Sequence, residues 1–400
     1  MGEWSATTIG KVTTLVTKGT TPPKGKGFVD VGVNYIKSDS LSYDRPIDTS
    51  LFVAIDYETH RLFKRSQIEA SDILFSMAGA FLGKSGMAEA SMLPANTNQA
   101  VAIIRPDQNI VEPLFLGLFF RQKSIIEFVN NLSGQSAQPN INFQEIKSIE
   151  LMLPELPEQR AIASVLSSLD AKIDLLHRQN KTLEAMAETL FRQWFVERRP
   201  EDLEGEAEEG WEEGTLSALG PIEMGNSPKG DSYNEVGEGV PLINGPVEYG
   251  VYFPLRSKWT TDPKRFAEAG DLIFCVRGST TGRRVVADGE YAIGRGVCAF
   301  RSKQRMFLYQ MIEAKLPDLL AQTTGSVFPS LSSDDIKNFP ITLPPQKLRD
   351  QYEELAGPML ELIEFNHRQC TTLAALRDTL LPKLMSGEVR VEEGTTTSLK

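Results

Sequence analysis

The chain has 400 residues, of which 41% are hydrophobic and 24% charged, so it has the composition of a globular protein with room for two or three domains. Its three cysteines lack the spacing of a zinc site or a disulfide framework. No apolar run approaches the roughly 18 residues of a membrane span, and no basic region followed by an apolar stretch opens the chain. We therefore expect a cytoplasmic protein that neither enters a membrane nor is secreted.

The formal net charge of −11 is concentrated in one segment. Residues 197–213 contain nine acidic and two basic side chains, a net charge of 2 − 9 = −7. Residues 271–305 contain seven basic and three acidic side chains, a net charge of 7 − 3 = +4. The overall charge therefore does not exclude a nucleic-acid partner, because either half of the chain can present a basic face.

The first globular segment, residues 1–155, mixes short strands with helices. Strands are predicted at residues 53–55, 73–75 and 101–104, and a helix at residues 114–130. A turn-rich stretch lies near its start and a polar loop, residues 134–140, near its end. The turn-rich stretch reads Gly19-Thr20-Thr21-Pro22.

A long amphipathic helix is predicted at residues 156–198. Its seam residues are spaced alternately four and three apart, which is a heptad pattern that requires a partner helix. The seam consists of Ile162, Leu166, Leu169, Ile173, Leu176, Asn180, Leu183, Ala187, Leu190 and Trp194. About 40 residues of helix rise on the order of 60 Å, a length that suits a spacer better than a core element. An acidic linker, residues 199–213, follows.

The second half of the chain repeats this order. A globular segment at residues 214–344 precedes a second helix at residues 345–386 and a tail at residues 387–400. Turns and strand starts correspond: Gly225-Asn226-Ser227-Pro228 matches the first turn-rich stretch, and Asp271-Leu272-Ile273-Phe274 matches Asp72-Ile73-Leu74-Phe75. From Pro139 onward the offset is 190 residues, which yields a weaker second seam interrupted early by Gly357-Pro358. That seam consists of Tyr352, Ala356, Met359, Ile363, Asn366, Cys370, Leu373, Arg377, Leu380 and Leu384.

The fold predicted from this repeat is α+β, with two mixed α/β globular domains alternating with two long helices, one of which supplies the partner for the other. An antiparallel pair in which the numbers of facing residues sum to 546 brings every seam residue opposite another. Asn180 then faces Asn366, and we expect this buried polar pair to fix the register of the two helices.

Several motifs resemble the specificity subunits of type I restriction–modification systems. They are Leu153-Pro154-Glu155-Leu156-Pro157-Glu158-Gln159-Arg160, Leu190-Phe191-Arg192-Gln193-Trp194-Phe195, the Gly-Thr-Thr-Pro stretch and Leu384-Met385-Ser386-Gly387-Glu388. The second helix departs from the usual Pro-Leu-x-Glu-Gln start. It reads Pro344-Pro345-Gln346-Lys347-Leu348-Arg349, which leaves the position of its first residue open.

The resemblance implies a non-catalytic subunit with two target-recognition domains, residues 1–155 and 214–344, each reading one half of a bipartite asymmetric DNA site. It implies that the two long helices pair as an antiparallel coiled coil, set the gap between the half-sites and dock two methyltransferase subunits. Restriction subunits complete the assembly. S-adenosylmethionine, ATP and magnesium are then expected on these partner subunits, and no cofactor or metal on this chain.

The candidate DNA contacts are polar and basic loop residues, because Arg, Asn and Gln can bind base edges while Lys and Thr more often bind phosphate. In the first half they are Lys18, Thr20, Thr21, Lys24, Lys84, Asn98, Gln99, Gln135 and Gln138. In the second half they are Ser227, Lys229, Arg277, Arg283, Arg284, Arg295 and Arg301. A solvated surface role remains the alternative for each.

Two motifs suggest enzymes, and the repeat argues against both. Residues 78–85 approximate a phosphate-binding loop, but the second copy has the same glycines without Lys-Ser. Asp318, Asp335 and Lys337 mimic a nuclease site, but the first copy lacks the first carboxylate. His60, His177 and His367 lack metal-ligand spacing, and the latter two are expected on helix faces beside the seams.

Two rival functions remain. A coiled-coil adaptor that binds only proteins would show no sequence-dependent DNA affinity after a methyltransferase partner is added. A free-standing nuclease or ATPase would be active as the purified chain alone.

Overall fold

The structure, a computed structural model, describes residues 4–23, 26–132, 140–197, 210–322 and 330–391. The chain divides into two compact units, one of residues 1–175 and 370–400 and the other of residues 176–369. Each unit therefore combines one globular domain with part of each long helix. Most of the predicted acidic linker lies outside the described residues.

The first unit contains eleven strands among its described residues. They are β1 (Ser5–Thr8), β2 (Thr13–Lys18), β3 (Phe28–Val29), β4 (Val33–Ile36), β5 (Val53–Ile55), β6 (Gln67–Ile68), β7 (Ile73–Ser76), β8 (Ser85–Met87), β9 (Ala95–Thr97), β10 (Val101–Pro106) and β11 (Glu150–Leu153). They form a pair, β1-β11, a four-stranded sheet, β2-β10-β7-β8, and a five-stranded sheet, β3-β5-β4-β9-β6. All neighbours are antiparallel except β4 and β9.

The helices of the first unit pack on these sheets. They are α1 (Tyr57–Leu62), α2 (Pro113–Phe120), α3 (Lys123–Leu132) and α4 (Phe143–Ser148), followed by the long helix α5 (Leu156–Phe195). The helix predicted at residues 114–130 is thus two helices, because the chain turns at Arg121 and Gln122. Arg121 is held there by Asp170, with 2.6 Å between the guanidinium nitrogen and the carboxylate oxygen, and by the Asp44 carbonyl, also at 2.6 Å.

The second unit repeats the topology strand for strand. Its strands are β12 (Glu212–Thr215), β13 (Ile222–Met224), β14 (Tyr233–Asn234), β15 (Val240–Ile243), β16 (Trp259–Thr260), β17 (Phe266–Ala267), β18 (Leu272–Cys275), β19 (Arg284–Val286), β20 (Tyr291–Ile293), β21 (Val297–Phe300) and β22 (Pro340–Leu343). Its sheets are β12-β22, β13-β21-β18-β19 and β14-β16-β15-β20-β17, with β15 and β20 parallel. The helices are α6 (Arg305–Ala321), α7 (Ser333–Lys337) and the long α8 (Gln346–Met385).

Both seams are the buried faces of the long helices. Every predicted seam residue of α5 and α8 is buried or half-buried, whereas most residues between them are exposed. The predicted interruption at Gly357-Pro358 does not break α8, which is continuous through both residues. In the first unit Ile162 and Leu166 share a core with Leu381, Leu384 and Met385.

The second unit contains the predicted asparagine pair. The side-chain amide of Asn366 donates to Oδ1 of Asn180 at 2.8 Å, and the Asn180 amide donates to the Ile363 carbonyl at 3.4 Å. Both asparagines are buried. The contact agrees with the register in which facing residue numbers sum to 546. Trp194 and Tyr352, another pair of that register, have ring centroids 6.1 Å apart.

Both long helices start in the same way despite their different sequences. The buried Gln159 amide donates to the Pro154 carbonyl at 2.8 Å in the first unit. In the second unit Arg349, 190 residues later, donates from Nε to the Pro344 carbonyl at 3.1 Å. The substituted residue therefore preserves the contact, and α8 begins at Gln346.

None of the helices in the described parts of the chain is long and apolar enough to cross a membrane.

Candidate nucleic-acid interface

The candidate site of the first unit begins where the Gly-Thr-Thr-Pro stretch meets the turn between β9 and β10. Gly19 donates its backbone N–H to the Val101 carbonyl at 3.1 Å, and Thr20 donates to the Thr97 carbonyl at 2.9 Å. A Cβ on Gly19 would lie 2.0 Å from the Thr97 oxygen, so only glycine permits this approach. The hydroxyl of Thr21 accepts the backbone N–H of Gln99 at 3.4 Å.

The glycine-bent turn between β7 and β8 joins the same edge. Met77 donates its backbone N–H to the Ala100 carbonyl at 2.8 Å and accepts the N–H of Ile141 at 2.9 Å. Gly79 and Gly83 have φ angles of 73° and 83°, which favour glycine. Three predicted recognition segments thus meet: the opening turn, the β9–β10 turn and the glycine-bent turn. We call this group of turns the recognition edge.

The second unit builds the same recognition edge. Gly225 donates to the Val297 carbonyl at 3.0 Å, and Asn226 donates to the Ile293 carbonyl at 2.9 Å. The hydroxyl of Ser227 accepts the backbone N–H of Arg295 at 3.1 Å. The Val276 N–H donates to the Gly296 carbonyl at 2.9 Å and so holds the second glycine-bent turn beside it.

These matching hydrogen bonds establish which residues are equivalent in the two units. Gln99 and Arg295 occupy the same position, since each donates its backbone N–H to the hydroxyl of the opening turn. Lys84 and Arg283 are also equivalent, because their carbonyls accept from Ser76 and Cys275 at the ends of matching strands. The sequence alone paired the glycines but left the pairing of these side chains open.

Several predicted contacts remain available on the recognition edges. Thr20 and Asn98 are half-buried and Thr21 and Gln99 exposed, while Asn98 uses its Oδ1 to accept the Ala100 N–H at 3.1 Å. Among the predicted contacts of the second unit, Lys229, Arg277, Arg283 and Arg295 are exposed. Within the described parts of the chain, no hydrogen bond or ion pair engages the side chains of Gln99, Arg277, Arg283 or Arg295.

Two lysines of the first unit lie against aromatic rings. The Lys84 ammonium is 4.4 Å from the centroid of Phe81 and 5.7 Å from that of Tyr43. The Lys18 ammonium is 5.9 Å from the centroid of Phe143. Such cation–π contacts orient a partly exposed lysine while leaving its charge available to an anion. Lys24, Gln135 and Gln138 lie outside the described residues.

Two of the arginines predicted to contact DNA form ion pairs with carboxylates of the second unit instead. Arg284 forms an ion pair with Glu313, donates to the Gly282 carbonyl at 2.9 Å and has a side chain only 16% exposed. Burial lowers the pKa of the Arg284 guanidinium below its ordinary value. Arg301 binds both carboxylate oxygens of Asp271, at 2.9 and 2.8 Å. We therefore omit both side chains from the interface.

The arrangement of Arg301 is part of the shared framework of the two units. In the first unit Arg105 binds both carboxylate oxygens of Asp72 at 2.8 Å. Asp72 and Asp271 are buried and also accept the N–H of Glu69 and Glu268, respectively. This repeated pair lies at the end of the four-stranded sheet in both units, so Arg301 belongs to the shared framework rather than to the basic surface.

One residue of the first recognition edge is absent from the sequence-based set. Arg65 is exposed and donates to the Thr20 hydroxyl at 3.4 Å. It follows α1, in a part of the domain where the two copies show no matching motif, so the repeat contained no signal for it. Its position adds a positive charge beside Thr20.

The two enzyme-like motifs have structural uses. The residues after the glycine-bent turn form β8 rather than the helix whose N-terminus binds phosphate in a phosphate-binding loop. Asp335 accepts the Ser332 N–H at 2.7 Å in the capping box of α7. Hydrogen bonding with Ser332 lowers the pKa of the Asp335 carboxyl group. No cluster of three or more metal-ligating side chains occurs among the residues that the structure describes.

The two histidines beside the seams pack together in the second unit. The rings of His177 and His367 have centroids 6.2 Å apart, and His367 stacks on Tyr252 at 4.4 Å. Burial, with a smaller contribution from His177, lowers the pKa of His367 to about 4. This cluster is distant in sequence from the recognition edge and holds the domain against the helices of its own unit.

Comparison with known proteins identifies the class to which such a duplicated framework belongs. The family model described as the type I restriction modification DNA specificity domain matches residues 1–185 and again residues 208–352. The two matches together cover most of the chain and correspond to the two copies of the repeat. The chain therefore belongs to the family of type I restriction–modification DNA specificity subunits, which confirms the resemblance seen in its motifs.

Individual relatives agree with this assignment. The MjaIX type I restriction enzyme specificity subunit of Methanocaldococcus jannaschii is 29% identical over 325 residues, covering 75% of this chain and 74% of the relative. The HindI type I restriction enzyme specificity subunit of Haemophilus influenzae is 22% identical over 410 residues, covering 81% and 88%. A crystal structure of the type I restriction–modification S subunit from M. genitalium shares the fold, with a TM-score of 0.62, 16% identity and 96% coverage of both chains.

Proposed function

We propose that the chain reads a bipartite asymmetric DNA sequence, with one half-site for each recognition edge. The observation that carries this proposal is the repeated backbone framework, which presents different exposed side chains in its two copies. Two identical readers would suit a symmetric site, whereas two readers with one framework and different side chains suit two different half-sites. The family assignment supports DNA as the ligand.

The proposed division of labour follows from the chemistry of the exposed residues. Lys84 and Arg283 are basic in both copies, so they suit the phosphate backbone, which has the same charge at every sequence. Thr21 and Ser227 support the β9–β10 turn and its equivalent through their hydroxyls. The remaining exposed polar side chains are available for base edges.

The long helices are proposed to set the gap between the half-sites and to dock two methyltransferase subunits. A helix of 40 residues rises on the order of 60 Å, which accommodates more than one ~34 Å turn of duplex DNA. Restriction subunits would join the same assembly in the cytoplasm. S-adenosylmethionine, ATP and magnesium would then be bound by these partners, and this chain would supply specificity without catalysis.

Selection from a randomised duplex DNA library tests the proposal directly. The full chain is combined with its methyltransferase partner, and the bound duplexes are sequenced. We expect two short, different conserved blocks at a constant separation. A protein-only adaptor would enrich no sequence, and activity of the purified chain alone towards DNA or ATP would favour the enzymatic alternative.

A further inference from the structure

Gln99 and Arg295 are held by the same rigid support in the two units. Each backbone N–H is bound by a hydroxyl of the opening turn, and each residue is followed by a carbonyl that accepts from the glycine-bent turn. In the second unit a Cβ on Gly294 would lie 1.6 Å from Oδ1 of Asn244, so the backbone beside Arg295 is closely packed. The side chains therefore project from turns whose position is well defined.

Their side chains differ in the way that base readers should differ. Lys84 and Arg283 preserve positive charge at equivalent positions, as expected for contacts with the invariant phosphate backbone. At the other pair of equivalent positions, the first unit has the neutral amide of Gln99 and the second unit has the charged guanidinium of Arg295. Both are exposed, and the described parts of the chain engage neither side chain. Asn98 is a weaker candidate, since its Oδ1 already accepts the Ala100 N–H.

The two side chains have different preferred base partners. A glutamine side chain can accept from the N6 amino group of adenine through Oε1 and donate to N7 through Nε2, whereas arginine donates to O6 and N7 of guanine. We propose that Gln99 reads an adenine in the half-site of the first unit and that Arg295 reads a guanine in the half-site of the second. This inference rests on the proposed function and assigns one base to each recognition edge.

Alanine substitutions in the full chain, assembled with its methyltransferase partner, test the assignment. Selection from the randomised duplex library should show that Gln99→Ala loses preference at one adenine and Arg295→Ala at one guanine in the other half-site. Each preference should fall about 5- to 150-fold, as expected for loss of one bidentate contact. The rest of the consensus should remain.

Arg295→Lys separates base reading from phosphate binding. Lysine retains the charge but lacks the planar fork of arginine, so guanine preference should fall while general affinity is largely retained. Arg283→Ala is the matched control in the same unit. It should weaken binding to all sequences about equally and leave the consensus unchanged. Thermal unfolding of each variant checks that the exposed substitutions leave the fold intact.

The outcomes distinguish this inference from the proposed function. Failure of the wild-type assembly to enrich a two-block sequence would reject the proposed function. Enrichment of two blocks by the wild type, with unchanged or uniformly weakened selectivity in the alanine variants, would reject only the assignment of Gln99 and Arg295. Loss of preference at a base other than adenine or guanine, respectively, would also overturn it.

Discussion

At the scale of single residues, identical residue types have different uses in the second unit. Arg295 projects from a turn without a described partner, whereas Arg301 binds Asp271 through two hydrogen bonds. Both belong to one basic stretch of sequence. The distinction depends on a carboxylate that lies 30 residues away in the chain and is brought close by pairing of β18 with β21.

Arg301→Met should therefore affect stability rather than specificity. It leaves the buried Asp271 carboxylate without its main cationic partner, and we expect a loss of about 1–3 kcal/mol in the free energy of unfolding, because Arg301 is itself partly exposed. Urea denaturation measures the loss, and library selection should return the wild-type consensus. A changed consensus with unchanged stability would contradict this structural role. Arg105→Met is the matched substitution in the first unit.

Protonation of His367 should destabilise the second unit in acid. Its folded-state pKa of about 4 lies below the ordinary value near 6.5, so the unfolded chain binds the proton more readily. The contribution of neutral His367 to stability is thus present above about pH 6.5 and is lost as the pH falls towards about 4. The midpoint of urea unfolding should fall across this range.

His367→Phe retains a ring that can stack on Tyr252 and removes the titrating group. Its urea midpoint should fall less between pH 7 and pH 5 than that of the wild type. His177→Gln removes only the neighbouring imidazole, so it should reduce the pH dependence by a smaller amount. An equal pH dependence in the wild type and His367→Phe would exclude His367 as its source.

At the scale of elements, the long helices combine an apolar seam with one buried amide pair. Heptad spacing predicted which residues of α5 and α8 are buried, and the antiparallel register in which facing residue numbers sum to 546 predicted which asparagines meet. Substitution of Asn366 by leucine would leave Oδ1 of Asn180 without its donor, whereas substitution of both asparagines would remove the polar pair together. The register role of the pair is therefore open to a double-mutant cycle.

Asn366→Leu should lower the free energy of unfolding by about 1–3 kcal/mol, because it leaves a buried polar atom unsatisfied. Asn180→Leu should have a similar effect. The double variant should lose less than the sum of the two, with a coupling energy of about 0.5–3 kcal/mol. Denaturant unfolding measures all three, with the exposed Glu361→Gln on α8 as control. Additive losses would show that the pair is not coupled.

At the scale of the whole molecule, each compact unit is completed by segments far apart in sequence. The first unit includes residues 370–400, and Leu381, Leu384 and Met385 are buried in its core. Arg377 also forms an ion pair with Asp170 at 2.9 Å in this unit. The first globular domain therefore depends on the end of the second long helix.

A chain that ends at Gln369 should lose the folded first unit. The truncation removes Leu381, Leu384 and Met385 from the core of the first unit. Each loses about 1.5–3 kcal/mol of burial free energy, and the sum approaches the roughly 5–15 kcal/mol stability of a typical domain. Hydrogen exchange should lose protection at Val101–Pro106 and retain it at Leu272–Cys275. A chain that ends at Val391 retains all described residues and is the control. Retained protection of Val101–Pro106 after the longer truncation would contradict this dependence.

The sequence by itself determined the duplication, the α+β class, the two helices and their seams, since these depend on local periodicity and on similarity between two parts of one chain. Periodicity was less informative at residues 114–130, where the chain turns at Arg121 and Gln122 and forms two helices instead of one. It also left open the start of α8, which the Arg349 contact with Pro344 explains.

Only the tertiary structure decided which candidate side chains remain available at the recognition edges. Whether an arginine is exposed or paired depends on strands that meet after folding, so Arg295 and Arg301 could not be distinguished from their local sequence. The equivalence of Gln99 and Arg295 likewise depends on two hydrogen bonds between distant turns, each from a backbone N–H to a side-chain hydroxyl. Composition and spacing report chemical character and local conformation, whereas the use of a polar side chain is set by the long-range contacts around it.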